Sequence, residues 1–189
     1  MTARSTTVAV LALGSNLGDR EAILRAAVRD IAAVAGVEVT AASGFVETPA
    51  LKPEGISSDA PTYLNAVITV HTMLAPEELL HAVNAIEAHH GRVREARWGD
   101  RTLDIDIIDY GGTSIRTAEL TVPHPRAATR AFVLVPWLQV DPDASIPGLG
   151  RIDALLEGSR DSATVYPARP LMEPAHEQSH PEQFHAERP

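Results

Sequence analysis

The residues of this chain that can do chemistry together lie at positions 97–107, which read Arg-Trp-Gly-Asp-Arg-Thr-Leu-Asp-Ile-Asp-Ile. Alternate side chains of a β-strand share a face, so Asp104 and Asp106 would project from one side, and Ile105 and Ile107 from the other. Two neighbouring carboxylates repel each other and stay ionised in a partly buried place only beside a cation. Mg²⁺ prefers oxygen ligands, so it is the cation that such a pair would hold. The alternative is an edge strand with two solvated acids.

Arginines flank this acidic pair in the sequence. Four precede it within ten positions and two follow it: Arg92, Arg94, Arg97, Arg101, Arg126 and Arg130. A guanidinium suits a planar, bidentate grip on phosphate oxygens, and the chain has a single lysine. Arginines facing a metal held by two aspartates are typical of phosphoryl transfer, in which positioning and charge neutralisation supply most of the rate. The alternative is a set of surface ion pairs among Arg92, Glu95, Arg97 and Asp100.

The common nucleotide-binding motifs are missing from the sequence. The segment 14–18, Gly-Ser-Asn-Leu-Gly, lies between a predicted strand and a predicted helix. It lacks the Lys-Ser/Thr of a P-loop and the third glycine of a dinucleotide fingerprint, so a bound triphosphate would be held in another way. His89 and His90 are interpreted as a surface pair at a helix end. His124, between two prolines, is equally compatible with a phosphate donor and with a structural turn.

Composition limits the class of protein. The 189 residues fit one domain, and 44% hydrophobic and 22% charged residues are typical of a globular chain. A net charge of −9 argues against sequence-independent nucleic-acid binding, and the lack of cysteine excludes disulfides and thiolate sites. The apolar run at residues 8–13 is too short for a signal or membrane segment. We therefore expect a cytoplasmic monomer without nucleic-acid or membrane partners.

The elements that position these residues follow from the apolar spacing. Strands are predicted at residues 6–13, 37–48, 63–72 and 102–110, and helices at 20–35, 76–90, 127–140 and 151–157. Asp19 would cap the first helix, and Pro76 would begin the second. The order β-α-β-β-α-β predicts an α+β fold with a ferredoxin-like βαββαβ core: an antiparallel sheet, helices on one face and a C-terminal extension.

Three segments lack this periodicity. Residues 49–61 carry turn formers throughout and are interpreted as a mobile loop, and residues 92–100 as a polar loop. The composition then shifts to Pro and His, so residues 1–166 are predicted to form the single domain and 167–189 a disordered tail. Metal binding by the tail histidines is the alternative to a solvated tail.

Six stretches of the sequence are distinctive as a set: Gly-Ser-Asn-Leu-Gly at 14–18, Tyr-Leu-Asn-Ala at 63–66, Ala-Pro-Glu-Glu-Leu-Leu at 75–80, Ile-Glu at 86–87 with Gly-Arg at 91–92, Arg-Trp-Gly at 97–99 with Arg-Thr-Leu-Asp-Ile-Asp-Ile at 101–107, and Leu-Thr-Val-Pro-His-Pro-Arg at 120–126. In this order they resemble the motifs of the 6-hydroxymethyl-7,8-dihydropterin pyrophosphokinase family. The resemblance implies a folate-biosynthesis transferase that moves the diphosphate of ATP to the hydroxyl of 6-hydroxymethyl-7,8-dihydropterin and releases AMP.

The resemblance also implies roles for individual residues. Asp104 and Asp106 would hold two Mg²⁺ ions, and Arg92 and Arg101 would be catalytic residues on the transferring phosphates. The pterin would stack between Tyr63 and Phe132. Its other contacts would be Thr48, Pro49, Leu51, Asn65 and Trp98. The ATP contacts would be Asn84, Glu87, Arg94, Ile107, Thr121, His124 and Arg130, with Glu87 in a supporting place.

Two other functions have to be weighed against this one. A different Mg²⁺-dependent nucleotidyl or phosphoryl transferase would keep the aspartates and arginines, and Tyr63 and Phe132 would then be ordinary core residues. An RNA-binding ferredoxin-like module would present stacked aromatics within a basic face, which the net charge and the strands of Tyr63 and Tyr110 do not favour. Diphosphate transfer competes with hydrolysis, so residues 49–61 and 92–100 are expected to be lids that exclude water.

Overall fold

The computed structural model describes residues 5–52, 55–57, 60–91, 101–159 and 161–172. Its strands are β1 (Thr7–Ser15), β2 (Val37–Ala42), β3 (Val46–Thr48), β4 (Ala50–Lys52), β5 (Gly55–Ser57), β6 (Tyr63–Thr72), β7 (Asp104–Tyr110), β8 (Ile115–Arg116), β9 (Thr121–Val122), β10 (Ser145–Ile146), β11 (Gly150–Arg151) and β12 (Thr164–Val165). Its helices are α1 (Arg20–Ala32), α2 (Pro76–His89), a short 3-10 helix (Ala127–Thr129), α3 (Ala131–Val140) and α4 (Ile152–Glu157).

A six-stranded antiparallel sheet forms the centre of the fold, in the order β12-β3-β6-β1-β7, with β2 also paired to β6. The strands β2 and β3 are two parts of one interrupted strand along β6. Between them Ser43 keeps the ladder connected, because its N–H donates to the Val67 carbonyl at 2.9 Å and its Oγ accepts from the Val67 N–H at 2.9 Å. The predicted antiparallel sheet in a mixed α/β fold is confirmed.

Helices cover both faces of this sheet. On one face α1 and α2 bury a core with alternate residues of β1, β6 and β7, including Leu11, Ile68 and Ile105. On the other face α3 and α4 bury Val10 and Val67 in a second core. The predicted placement of the two core helices on one face therefore fits α1 and α2. Helices α3 and α4 belong to the predicted C-terminal extension, and their apolar residues are buried on the other face, which the sequence pattern had not assigned to them.

Helices α1 and α2 begin at the residues that their capping signals in the sequence predict. The Asp19 carboxylate accepts from the Ala22 N–H at 3.0 Å, and α2 begins at Pro76 with the Glu78 side chain accepting from the Ala75 N–H at 2.7 Å. The interpretation of residues 49–61 as an irregular loop is wrong in part, because β4 and β5 pair as a hairpin there. Strands of three residues are too short to show a period in the sequence.

The C-terminal segment docks on the sheet and on α1. Strand β12 pairs with β3, and the Tyr166 N–H extends this ladder to the Phe45 carbonyl at 3.0 Å. The Arg25 guanidinium donates to the carbonyls of Arg169 and Pro170, both at 2.6 Å, and Leu171 is 8% exposed in the α1/α2 core. The predicted domain at residues 1–166 and disordered tail at 167–189 stay predictions; residues 167–172 make the contacts described here, and 173–189 lie outside the described residues.

No helix within the described ranges is both long enough and apolar enough to span a membrane.

Leu171→Ala tests the docking of the C-terminal segment. We expect the free energy of unfolding, measured by urea denaturation, to fall by about 2 kcal/mol, because a buried leucine loses its transfer energy and leaves a cavity. Leu149→Ala is the control, since Leu149 is 55% exposed and its truncation should cost less than about 0.5 kcal/mol. Equal effects of the two substitutions would contradict the docking.

Candidate active site

The candidate site is built where three neighbouring strands place Asn65, Gly14 and Asp104 opposite one another on β6, β1 and β7. Paired residues of adjacent strands share a face, here the face that carries α3. Gly14 lacks a side chain in the middle of this row. A Cβ on Gly14 would lie 3.0 Å from Asn65 Oδ1 and 3.9 Å from Tyr63 Cδ1. The space over Gly14 is therefore partly filled by Asn65 Oδ1, and Asn65 itself is 5% exposed. The place over Gly14, between this amide and Tyr63 on one side and the Asp104 carboxylate on the other, is called the depression below.

The two aspartates occupy the same face of β7, as the alternation predicts. Ile105 and Ile107 are 4% and 3% exposed in the α1/α2 core, so Asp104 and Asp106 point to the opposite side. Both aspartates are partly exposed. Strand β7 thus presents both carboxylates on the face that carries α3, next to the depression at Gly14.

Arg101 is the cation that the structure places beside these acids. Its Nη1 forms an ion pair with Asp104 Oδ2. Burial acts to lower the pKa of Arg101, but the charge and hydrogen bond of Asp104, with smaller contributions from Tyr63 and Asp106, raise it above its ordinary value. Arg101 therefore stays charged, and it is electrostatically coupled to residues on both sides of the depression.

Asn16 holds the backbone of Arg101 and was not among the predicted site residues. Its Oδ1 accepts from the Arg101 N–H at 2.7 Å, and its own N–H donates to the Arg101 carbonyl at 3.1 Å. Asn16 is 2% exposed. The signal in the sequence was the Gly-Ser-Asn turn after β1, whose asparagine side chain can take the place of a backbone partner. Asn16 therefore fixes the segment that leads into β7.

A polar and aromatic group lies on the β3 and β6 side of the depression. Asn65 Nδ2 donates to Thr48 Oγ1 at 3.1 Å, and Thr48 is paired with Tyr63 across the strands. Tyr63 is partly exposed, and Pro49, which follows Thr48, is exposed. Phe132, in the first turn of α3, is partly buried against the α3/α4 core. Leu51 lies in β4.

The predicted ATP residues lie around the outer edge of β7. Glu87 is 1% exposed, and its Oε1 accepts from the Ile105 N–H at 2.7 Å, which holds the edge strand between the two aspartates. The His124 N–H donates to the Ile108 carbonyl at 3.0 Å on the same strand. The side chain of Ile107 is buried, at 3% exposed.

The remaining predicted ATP residues stand on three different elements. Asn84 lies on α2, Thr121 on β9 and Arg130 at the N-cap of α3, and all three are partly exposed. Arg92, Arg94 and Trp98 lie outside the described residues. The described part of the chain therefore brings the two acids and Arg101 together with the predicted pterin residues Thr48, Tyr63 and Asn65 around Gly14. Of the predicted ATP residues, Glu87 and His124 hydrogen-bond to β7.

The donor set fits a hard divalent cation. Within the described ranges no group of three or more His, Cys, Asp or Glu side chains is arranged to hold a metal. Two carboxylates on one strand are nonetheless what Mg²⁺ needs from a protein when a substrate phosphate completes its shell. Asp104 and Asp106 supply such oxygens, with the Arg101 guanidinium available for further phosphate charge.

Comparison with known proteins gives the family. The profile described as 7,8-dihydro-6-hydroxymethylpterin-pyrophosphokinase (HPPK) matches residues 10–142. A Synechocystis 2-amino-4-hydroxy-6-hydroxymethyldihydropteridine pyrophosphokinase is 39% identical over 165 residues, which are 87% of this chain and 82% of that protein. A Methylorubrum extorquens protein of the same name is 44% identical over 142 residues, 75% of this chain and 87% of that one.

The fold also has a counterpart among solved structures. A Plasmodium falciparum HPPK-DHPS with SDX-DHP superposes with a TM-score of 0.62 at 14% identity, over 84% of this chain and 45% of that one. This chain thus spans less than half of that longer protein, and the likeness concerns the fold alone. From the profile match and the two pyrophosphokinase relatives, we conclude that the chain belongs to the 7,8-dihydro-6-hydroxymethylpterin-pyrophosphokinase family of enzymes.

Proposed function

We propose that the chain transfers the diphosphate of ATP to the hydroxyl of 6-hydroxymethyl-7,8-dihydropterin, in folate biosynthesis. The observation that carries the proposal is the row across Gly14, which sets the Asn65 and Tyr63 side chains beside Asp104 and its partner Arg101. A flat heterocycle and a polyphosphate thus have adjoining places. The strand order β3-β6-β1-β7, with α1 and α2 on one face, supports the ferredoxin-like core.

The pterin is assigned to the side of the depression formed by β3 and β6. Tyr63 would stack on one face of its ring and Phe132 on the other, and the Asn65 amide, held by Thr48, would read its polar edge. The hydrogen bond that Asn65 Nδ2 donates to Thr48 Oγ1 fixes the amide before the ligand arrives. Pro49, Leu51 and Trp98 complete the set of pterin contacts in this proposal.

The phosphates are assigned to the β7 side. Asp104 and Asp106 would hold two Mg²⁺ ions, which when bound neutralise phosphate charge and polarise the transferring group. The pterin hydroxyl oxygen forms a bond to the β-phosphorus of ATP, the bond from that phosphorus to the α,β-bridging oxygen breaks, AMP leaves, and the hydroxyl proton is released. Arg101 and Arg92 would stabilise the charge that moves onto the leaving oxygen.

The nucleotide is assigned to the outer edge of β7. Asn84, Thr121, His124 and Arg130 would contact it with Arg94 and the backbone of Ile107, while the buried Glu87 keeps β7 in place for them. Because diphosphate transfer competes with hydrolysis, residues 49–61 and 92–100 would close over the substrates and exclude water.

Product analysis tests the reaction type. Purified protein is incubated with ATP, Mg²⁺ and the reduced pterin alcohol, and we expect AMP in amounts equal to the pterin diphosphate. ADP as the nucleotide product, or turnover with a different acceptor only, would contradict diphosphate transfer to the pterin.

Asp104→Asn and Asp106→Asn test the metal carboxylates in the same assay. Each should lower kcat by about 100-fold or more, because the charge that organises the phosphates is lost while the side-chain shape is kept. Asp143→Asn, at a 90% exposed side chain near β10, is the matched control and should be unaffected. Near-normal Mg²⁺-dependent turnover of either strand variant would remove its metal role.

Arg101→Ala tests the proposed contact between Arg101 and the phosphate group that is transferred. We expect kcat to fall by roughly 100-fold with a much smaller change in the KM of the pterin, because the contact strengthens as charge develops. Arg101→Lys should recover part of the rate. A change confined to KM would show that Arg101 acts in ground-state binding only.

Gly14→Ala tests the depression. The added Cβ meets an Asn65 oxygen at 3.0 Å, and the amide is already bonded to Thr48, so pterin affinity should fall by about tenfold, roughly 1.4 kcal/mol, with nucleotide affinity unchanged. Gly44→Ala is the matched control, because its Cβ would meet Gln139 Oε1 at 3.3 Å away from this row. Unchanged pterin affinity in Gly14→Ala, measured by calorimetry, would contradict the assignment.

A further inference from the structure

The guanidinium of Arg130 lies between an aromatic ring and a carboxylate. It is 5.9 Å from the centroid of the Phe132 ring, and its Nη1 is 3.5 Å from Asp161 Oδ2. The Arg130 side chain is 19% exposed and that of Asp161 is 40% exposed. Asp161 comes from the segment between α4 and β12, so the contact joins the C-terminal segment to the start of α3.

This contact forms one wall of a cavity of about 400 Å³. The lining residues are Arg126, Ala128, Thr129, Arg130, Gly158, Ser159 and Asp161. Among the described residues, two arginines thus line the cavity, and Asp161 is the one acid of that lining. Neither Asp104 nor Asp106 is part of this lining, so the cavity lies to the side of the metal carboxylates. An anion that enters it meets a guanidinium already in contact with a carboxylate.

The chain on both sides of Asp161 is anchored. Upstream, Ile152 at the start of α4 is fully buried in the α3/α4 core, and the Ser159 hydroxyl donates to the Thr129 carbonyl at 3.4 Å. Downstream, β12 pairs with β3, and Leu171 is buried. Asp161 is therefore tethered beside Arg130 and competes at a high effective concentration with any free anion.

We propose that Asp161 is an internal competitor that occupies the guanidinium of Arg130 until a phosphate group of the nucleotide replaces it. The inference rests on the proposed function, in which Arg130 contacts ATP, and it adds a residue that lowers nucleotide affinity. An exposed ion pair of this kind is weak, so its removal should tighten nucleotide binding by about two- to fivefold.

Asp161→Asn tests the competition by calorimetric titration with Mg²⁺ and α,β-methylene-ATP, which cannot undergo the transfer. We expect the dissociation constant to fall by about two- to fivefold at low salt and the gain to shrink at high salt, because exposed charges are screened. Asp143→Asn is the matched control: Asp143 forms an exposed pair with Arg151 at 3.2 Å, and neither residue lines the cavity. Unchanged or weaker nucleotide binding in Asp161→Asn would overturn the proposal.

A second variant separates this proposal from the function on which it rests. Arg130→Ala should weaken nucleotide binding, and in that background Asp161→Asn should bring no further gain. A gain that persists without Arg130 would overturn the proposal, because Asp161 would then act on another group. Failure of the wild-type protein to form AMP would overturn the proposed function instead, since the titration measures nucleotide binding without turnover.

Discussion

The candidate site depends on keeping two like charges on one face of an edge strand. Asp104 and Asp106 repel each other, and among the described strands β7 pairs with β1 alone in the central sheet. At the free edge of β7, the buried Glu87 carboxylate accepts a hydrogen bond from the Ile105 N–H, and the His124 N–H donates to the Ile108 carbonyl. The Asn16 side chain holds the backbone of Arg101, just before β7 begins, and the Arg101 guanidinium compensates the negative charge of Asp104. The acids are thus positioned by contacts behind and beside them, and their face stays accessible.

Helices cover both faces of the sheet, so the face that carries the two acids stays accessible only where α3 does not cover it. α3 packs over Val10, Ala12 and Val67, which are small or branched apolar residues of the central strands. The next row along the same face holds Asn65, Gly14 and Asp104. Asn65 is 5% exposed and hydrogen-bonded to Thr48, and Asp104 is paired with Arg101, so polar pairs replace the apolar contact of α3 along this row. The change of residue type along β1 and β6 therefore sets the border between core and cleft.

The parts of this arrangement that were predictable from sequence are those written in local patterns. Alternation placed the two aspartates opposite Ile105 and Ile107, and the caps at Asp19 and Pro76 set the helix starts. The second helix layer was missed, because the apolar spacing of α3 indicates burial without naming the sheet face that buries it. The docking of residues 167–172 was also missed. It depends on the Phe45 carbonyl, Arg25 and the α1/α2 core, which are distant in sequence from a segment whose composition indicates disorder.

The docked C-terminal segment touches both sides of the cleft at once. Through β12 it supports β3, which ends at Thr48, and through Asp161 it reaches Arg130. These two attachments differ in strength, because the first is a backbone ladder backed by buried Leu171 and the second a partly exposed ion pair. The proposed exchange of Asp161 for a phosphate would therefore leave the pairing of β12 and β3 intact. The strand that holds the predicted pterin contact would stay fixed while Arg130, the predicted nucleotide contact, changed its partner.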